Sequence, residues 1–136
     1  MELDACYKKG LIKKTTINSS LIASLIEMAA IKEETVRNAQ LNERNISAYV
    51  SLAYDALREL LEALCIQSGY KVLSHDCIGE FLRESIKDFD YVTFDRVRYI
   101  RNGINYYGVR VGFGQGKEII HKIFTLKKKM EGYLEK

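Results

Sequence analysis

Residues 47–68 constrain this chain more than any other stretch. Tyr49, Leu52, Ala53, Ala56, Leu57, Leu60, Leu61, Leu64 and Cys65 recur there at steps of three and four. That repeat lines one face of an α-helix. The stripe is broad, so the spacing predicts a central helix buried on more than one side. Such a helix needs several neighbours. The chain contains no proline, so nothing forces a break inside a long helix. Glycines and Asn/Asp/Ser clusters must do the punctuating.

The neighbours can be read in order. Residues 1–14 form a short arm, held by Cys6, Leu11 and Ile12 and interrupted at Gly10. Candidate helix caps lie in residues 15–20. A first long helix is predicted over residues 19–42, with Leu21, Ile22, Leu25, Ile26, Met28, Ala29, Val36 and Ala39 on its apolar side. Glu27, Lys32, Glu33, Glu34 and Arg37 lie on its polar side. The turn Asn42-Glu43-Arg44-Asn45 leads into the central helix, and Ser68-Gly69 ends it. A short third helix opens at Leu73-Ser74-His75-Asp76 and runs to Ile86. A fourth covers residues 91–106, with Phe94, Val97, Ile100 and Ile104 on one stripe. Residues 108–116, with four glycines, read as a loop, and a last helix is predicted over residues 117–134. No stretch alternates strongly enough to argue a strand. Short loops between long helices favour antiparallel neighbours. The expected fold is therefore all-α: an up-and-down antiparallel bundle of about five helices in a single domain, residues 1–136.

Composition excludes some classes. The formal net charge is +3, which permits a polyanionic partner without demanding one. The runs Lys8, Lys9, Lys13, Lys14 and Lys127, Lys128, Lys129 read first as solvated faces. No apolar run approaches the ~20 residues of a membrane span, and the acidic start Met1-Glu2-Leu3-Asp4 does not resemble a signal peptide. Cys6, Cys65 and Cys77 are odd in number and widely spaced, which argues against a disulfide framework. A reducing, cytoplasmic location is the expectation. Cys65 falls on the apolar face of the central helix and reads as core.

The candidate site is Arg101-Asn102-Gly103-Ile104-Asn105-Tyr106-Tyr107-Gly108, the densest concentration of polar, aromatic and glycine residues. A guanidinium binds two phosphate oxygens at once and is always charged. On an ideal helix Arg98, Arg101 and Asn105 lie within about a quarter-turn of one another, giving a small polar face with two cations. Tyr106 and Tyr107 are suited to stacking on bases or donating hydrogen bonds. Tyr106 lies about one and a third turns beyond Arg101, so an ideal helix points it away. Either Gly103 loosens the helix or a second protomer brings the groups together. The bland reading is an ion pair from Arg101 to Glu80, Glu84 or Asp90. His75, Asp76 and Cys77 are consecutive and make a poor shared metal site. Ser74 or Asp76 reads as a cap with His75 packed nearby. The glycines 108, 112, 114 and 116 lack the Gly-Lys-Ser/Thr ending of a phosphate loop. Neither metal nor cofactor is expected.

The order of elements resembles the HEPN domain (higher eukaryotes and prokaryotes nucleotide-binding). The resemblance covers nearly the whole chain, from the long first helix to the last helix after the glycine-bearing loop. It is nearest to archaeal HEPN-like proteins with a similar basic lead-in, here Lys8-Lys9-Gly10-Leu11-Ile12-Lys13-Lys14, and a similar Arg-Asn…Asn-Tyr-Tyr-Gly ending. It implies a homodimer, with an Arg-x4-His motif at the inter-protomer cleft that cleaves RNA without a metal. Carried over, the catalytic positions are Arg101, Asn102 and Tyr106; the helix-face reading above adds Arg98, Arg101, Asn105 and Tyr107 as candidate contacts to nucleic acid or phosphate. Tyr106 stands where the family has histidine, and a phenol with an ordinary pKa of ~10 is a poor general base. The tyrosine that toxin members carry two residues further on is here Gly108. The resemblance thus implies an RNA- or nucleotide-binding protein, either a weak or a lapsed ribonuclease. The alternative is a non-catalytic helical interaction module, for example the partner of a nucleotidyltransferase-type protein in a toxin–antitoxin-like complex.

Overall fold

A computed structural model describes residues 1–135. The chain forms helices α1 (Leu3–Lys8), α2 (Ser19–Arg37), α3 (Ile46–Gln67), α4 (His75–Ser85), α5 (Tyr91–Tyr107) and α6 (Phe113–Glu131). Two short strands, β1 (Ile12–Lys14) and β2 (Tyr70–Val72), lie among them. This is an all-α helical bundle with one small sheet. The central helix is α3. It packs against α2, α6, α5, α4 and β2, and Val50, Ala53, Tyr54, Ala56, Leu57 and Leu61 are fully buried on it. The breadth of its apolar stripe thus has its physical cause in neighbours on several sides.

The chain departs from the sequence reading in several places, beginning with the six-residue helix α1 where only an arm was expected. The sheet was not foreseen: β1 pairs antiparallel with β2, Ile12 opposite Val72 and Lys14 opposite Tyr70. Further bonds from Leu73 N to Leu11 O at 2.8 Å and from Thr15 N to Gly69 O at 2.9 Å extend the ladder. Strands of three residues are too short to display alternation. Cys6 and Cys77 form a disulfide across 71 residues of sequence, contrary to the expected absence of a bridge. Folding brings α1 onto α4, and spacing along the chain does not reveal that. Helix α2 ends at Arg37 rather than near residue 42. The Asn42 side-chain oxygen accepts from Arg44 N at 2.9 Å and Asn45 N at 3.0 Å, and Asn45 accepts from Asn42 N at 2.8 Å. Such local bonds compete with helix. Helix α6 starts at Phe113, inside the supposed loop. A Cβ at Gly116 would clash with Ile46 Cγ1 and lie 3.2 Å from Ile46 Cδ1. The glycine there allows α6 to approach the start of α3; it does not break the helix.

A further departure is Lys127, assigned above to a solvated run. It is 2% exposed. Its ammonium donates to Glu33 Oε1 at 2.7 Å and Glu131 Oε2 at 3.1 Å, joining α6 to α2. Lys32 pairs similarly with the buried Glu59 of α3. Cys65 is buried, as expected. On α2 only Ala29 and Val36 of the predicted stripe are buried, while Leu21, Met28 and Ile31 are exposed. Among the described residues no helix is long and apolar enough to cross a membrane.

Candidate functional site

α5 carries the predicted site. Its start is fixed by Asp90, whose side chain accepts from Thr93 N at 3.1 Å. Its end is fixed by Gly108, in the left-handed conformation at φ 65°, which costs glycine no Cβ clash. The following loop is pinned back onto the start of α3. Val111 N donates to Ser47 Oγ at 3.0 Å, and Arg110 donates to Glu43 O at 3.3 Å. The C-terminal turns of α5 are therefore held at both sides.

Arg101 sits at the centre of this end, with its side chain only 12% exposed. Nη2 lies 3.4 Å from Asp55 Oδ1 on α3, and Nη1 donates to Tyr106 Oη at 3.3 Å. With the Asn105 amide oriented to satisfy its neighbours, its oxygen accepts from Arg101 Nε at 3.1 Å and Nη2 at 3.2 Å, and its nitrogen donates to Ser51 Oγ at 2.8 Å. The guanidinium carbon is 5.5 Å from the centre of the Tyr54 ring and 5.8 Å from that of Tyr106. Arg101, Asn105 and Tyr106 are thus brought together. The ion pair is with Asp55, not with Glu80, Glu84 or Asp90. Tyr106 reaches Arg101 within one chain and along an unbroken helix. A helical side chain leans toward the N-terminus, so the phenol of residue 106 points back toward Arg101, and neither a loosened Gly103 nor a second protomer is needed.

The other predicted residues lie around this group. Arg98 is turned away to Asp95 Oδ1 at 2.8 Å and Asp76 Oδ1 at 3.7 Å. Asn102 and Tyr107 do not join the Arg101 network. They line a cavity of about 560 Å³ together with Tyr99, Gly103, Tyr106 and Arg110. Tyr99 and Tyr107 are 76% and 81% exposed, so this aromatic rim faces solvent. Tyr106 belongs to both cavity and network.

Several residues of the site escaped sequence reasoning. Ser51, Tyr54, Asp55 and Arg58 come from α3, and His75 from the first turn of α4. Ser51, Asp55, Arg58 and Glu62 follow one another at steps of four, three and four on an otherwise apolar helix. That polar stripe was the available signal. Arg58 donates to Glu62 at 2.8 Å and lies 3.9 Å from Asp55. Tyr54 and His75 stand 5.7 Å apart between ring centres. Burial pushes the Tyr54 phenol up despite three nearby arginines. Burial, aided by Arg58 and Arg101, pushes the His75 imidazole down to about 4, so it is neutral at pH 7. Ser74 occupies the cap position of α4 without a side-chain cap bond. Asp76 instead accepts from the Met1 amino group at 3.2 Å. Among the described residues, no group of three His, Cys, Asp or Glu side chains is gathered to hold a metal.

Compared with known proteins, the chain matches no family model, no curated protein and no solved structure.

Proposed function

We propose that this chain is a HEPN-like protein that binds RNA, or the phosphate of a nucleotide, at the C-terminal end of α5. One observation carries the reading. Tyr106 links the Arg101 guanidinium to a solvent-facing cavity rimmed by Tyr99, Tyr107 and Arg110. Arginine supplies a planar, permanently charged donor for phosphate, and exposed tyrosines supply faces on which any base can stack. In this reading Arg101 holds the phosphate, Asn105 orients the guanidinium, and Tyr106, Tyr107 and Asn102 contact ribose or base. Arg98 is neutralised by Asp95 and Asp76 and stands outside this contact. An RNA ligand goes with the cytoplasmic location expected from the sequence. That expectation rests partly on unpaired cysteines, and the Cys6–Cys77 bond removes this support, because lasting disulfides are rare in reducing compartments.

The test is binding of a labelled single-stranded RNA in chelator at moderate salt, followed by fluorescence anisotropy. Arg101→Ala is expected to weaken binding by about tenfold, the equivalent of one charge-assisted hydrogen-bonded contact. Equal binding by wild type and variant, or none by wild type, would sink the proposal.

A second observation favours a protein partner on another face. Leu21, Met28 and Ile31 of α2 are 40–45% exposed. A second copy of the chain is our reading of what covers them, consistent with the expected homodimer. A nucleotidyltransferase-type protein is the alternative partner. Light scattering of wild type against Met28→Glu distinguishes a self-association from a monomeric face.

A further inference from the structure

We infer that the cavity between the C-terminal end of α2 and α6 is a binding site for a small amphipathic anion, a carboxylate carried on an alkyl or aryl body. The inference stands apart from the RNA reading, because none of its residues belongs to the Arg101 site.

The shape comes first. The cavity has a volume of about 410 Å³, within the usual range for small-molecule pockets. Its apolar lining comes from Val36 at the end of α2, Leu41 in the turn that follows, and Ile120 and Phe124 on α6. Val36, Ile120 and Phe124 are buried and Leu41 is half-buried. They make a floor rather than a protruding patch.

The charge comes second. The ionisable side chains that line the cavity are Arg37, Lys117, His121 and Lys128, and no Asp or Glu is among them. The lysines of α6 outside the cavity each have an oxygen partner. Lys122 pairs with Glu118 at 3.3 Å, Lys127 with Glu33 at 2.7 Å, and Lys129 donates to Asp88 O at 2.9 Å. Lys117 and Lys128 are exposed and have no such partner among the described residues; Lys117 stands instead 4.9 Å from the centre of the Phe113 ring. The Arg37 guanidinium carbon lies 4.8 Å from the centre of the Phe124 ring, so one cation is held at the edge of the apolar floor. Glu33 takes only its Nε, at 2.7 Å. The two Nη nitrogens, part of the fork that grips a carboxylate, donate to no described residue.

The occupant comes third. Four apolar side chains are far fewer than the roughly 20–30 residues that each side of a stable protein interface uses. The floor therefore fits a small molecule and not a partner chain. A polyanion would satisfy the cations and leave the floor wet. A carboxylate with an alkyl or aryl body meets both, its head at Arg37, Lys117 and Lys128 and its body on Ile120 and Phe124.

The experiment titrates sodium decanoate, below its micelle concentration, into the isotope-labelled full chain and follows the backbone amides by NMR. Saturable shifts are expected at residues 36–41 and 117–128, with a Kd of about 2 mM or tighter, the ordinary yield for a ligand of that many atoms. Each two-carbon step from hexanoate to decanoate should tighten binding at least about fourfold, the worth of one fully buried methylene. Decanol, which keeps the body and lacks the charge, should bind wild type about tenfold more weakly than decanoate, as should decanoate the double variant Lys117→Gln, Lys128→Gln. Lys13→Gln with Lys14→Gln removes the same charge from β1 and should change the Kd less than about twofold, since solvent and salt screen distant charges. Circular dichroism checks that the variants fold, and the decanol comparison needs no variant. Shifts that do not saturate or that centre elsewhere overturn the inference. So does equal binding of decanol and decanoate, or a Kd indifferent to chain length. Single-stranded RNA that displaces decanoate from these amides overturns it too, and assigns the cavity to nucleic acid.

Discussion

Replacing Lys127 by methionine tests whether the α2–α6 contact depends on charge. Methionine keeps most of the buried stem packed and removes the ammonium. Wild type holds that ammonium between Glu33 at 2.7 Å and Glu131 at 3.1 Å. Removing one member of a buried pair costs about 3–5 kcal/mol when the other is stranded. Here the carboxylates are not fully stranded. Glu33 keeps Arg37 at 2.7 Å, and Glu131 is 45% exposed and can turn to water. The expected loss is therefore about 2–3 kcal/mol, the value of one or two charge-assisted hydrogen bonds. At a urea slope of about 2 kcal/mol/M the midpoint should drop by about 1 M. Burial opposes ionisation of Glu33, but Lys127 and Arg37 outweigh it and hold its pKa below the ordinary value. A depressed carboxylate stabilises above its unfolded pKa, and that contribution is lost as pH falls through the folded one. The gap between Lys127→Met and wild type should therefore narrow as pH falls below about 4.5, because protonated Glu33 no longer needs the lysine. Urea denaturation followed by circular dichroism at pH 7 and at pH 3.5 measures both. A Lys127→Met protein at least as stable as wild type at pH 7 would show that the buried ammonium is a net burden, and would refute the reasoning.

Two further perturbations probe the frame of the molecule. Gly116→Ala should cost about 1–3 kcal/mol by overpacking, because the new Cβ meets Ile46 Cγ1 and, at 3.3 Å, Val111 Cγ2. Thermal melting of Gly116→Ala alone and with Ile46→Val checks it, the second change restoring part of the loss. Cys6→Ser should cost about 4 kcal/mol on loop-closure grounds for a 71-residue separation. Melting with and without reductant should show wild type falling to the level of the variant, and the variant not responding.

The five longer helices were legible because each carries an apolar stripe at helical spacing and several end at recognisable stops; α1, six residues long, is too short to show such a stripe. Gly69 and Gly108 both adopt positive φ, 89° and 65°, as a stop requires. What escaped was non-local. The β1–β2 ladder and the Cys6–Cys77 bond join residues that only the folded α3 brings together. At the site, Arg101, Asn105 and Tyr106 could be named from one helix because their neighbours in space are also neighbours in sequence. Asp55 and Tyr54 lie on another helix, and His75 opens a third. Their relation to Arg101 depends on how α3, α4 and α5 pack, which periodicity constrains only as far as a face. Lys127 was misread for a related reason. A lysine in a run of three gives no sign that one member faces a carboxylate across an interface.

The disulfide also divides the molecule in a way that matters for the candidate site. Closed at Cys6 and Cys77, residues 6–77 form a covalent ring that contains α2, α3 and the sheet, while α5 and α6 belong to an open tail. Ser51, Tyr54, Asp55, Arg58 and His75 belong to the ring. Arg98, Arg101, Asn105 and Tyr106 belong to the tail. The site therefore exists only while the tail is docked on the ring, and ligand binding would report that docking directly.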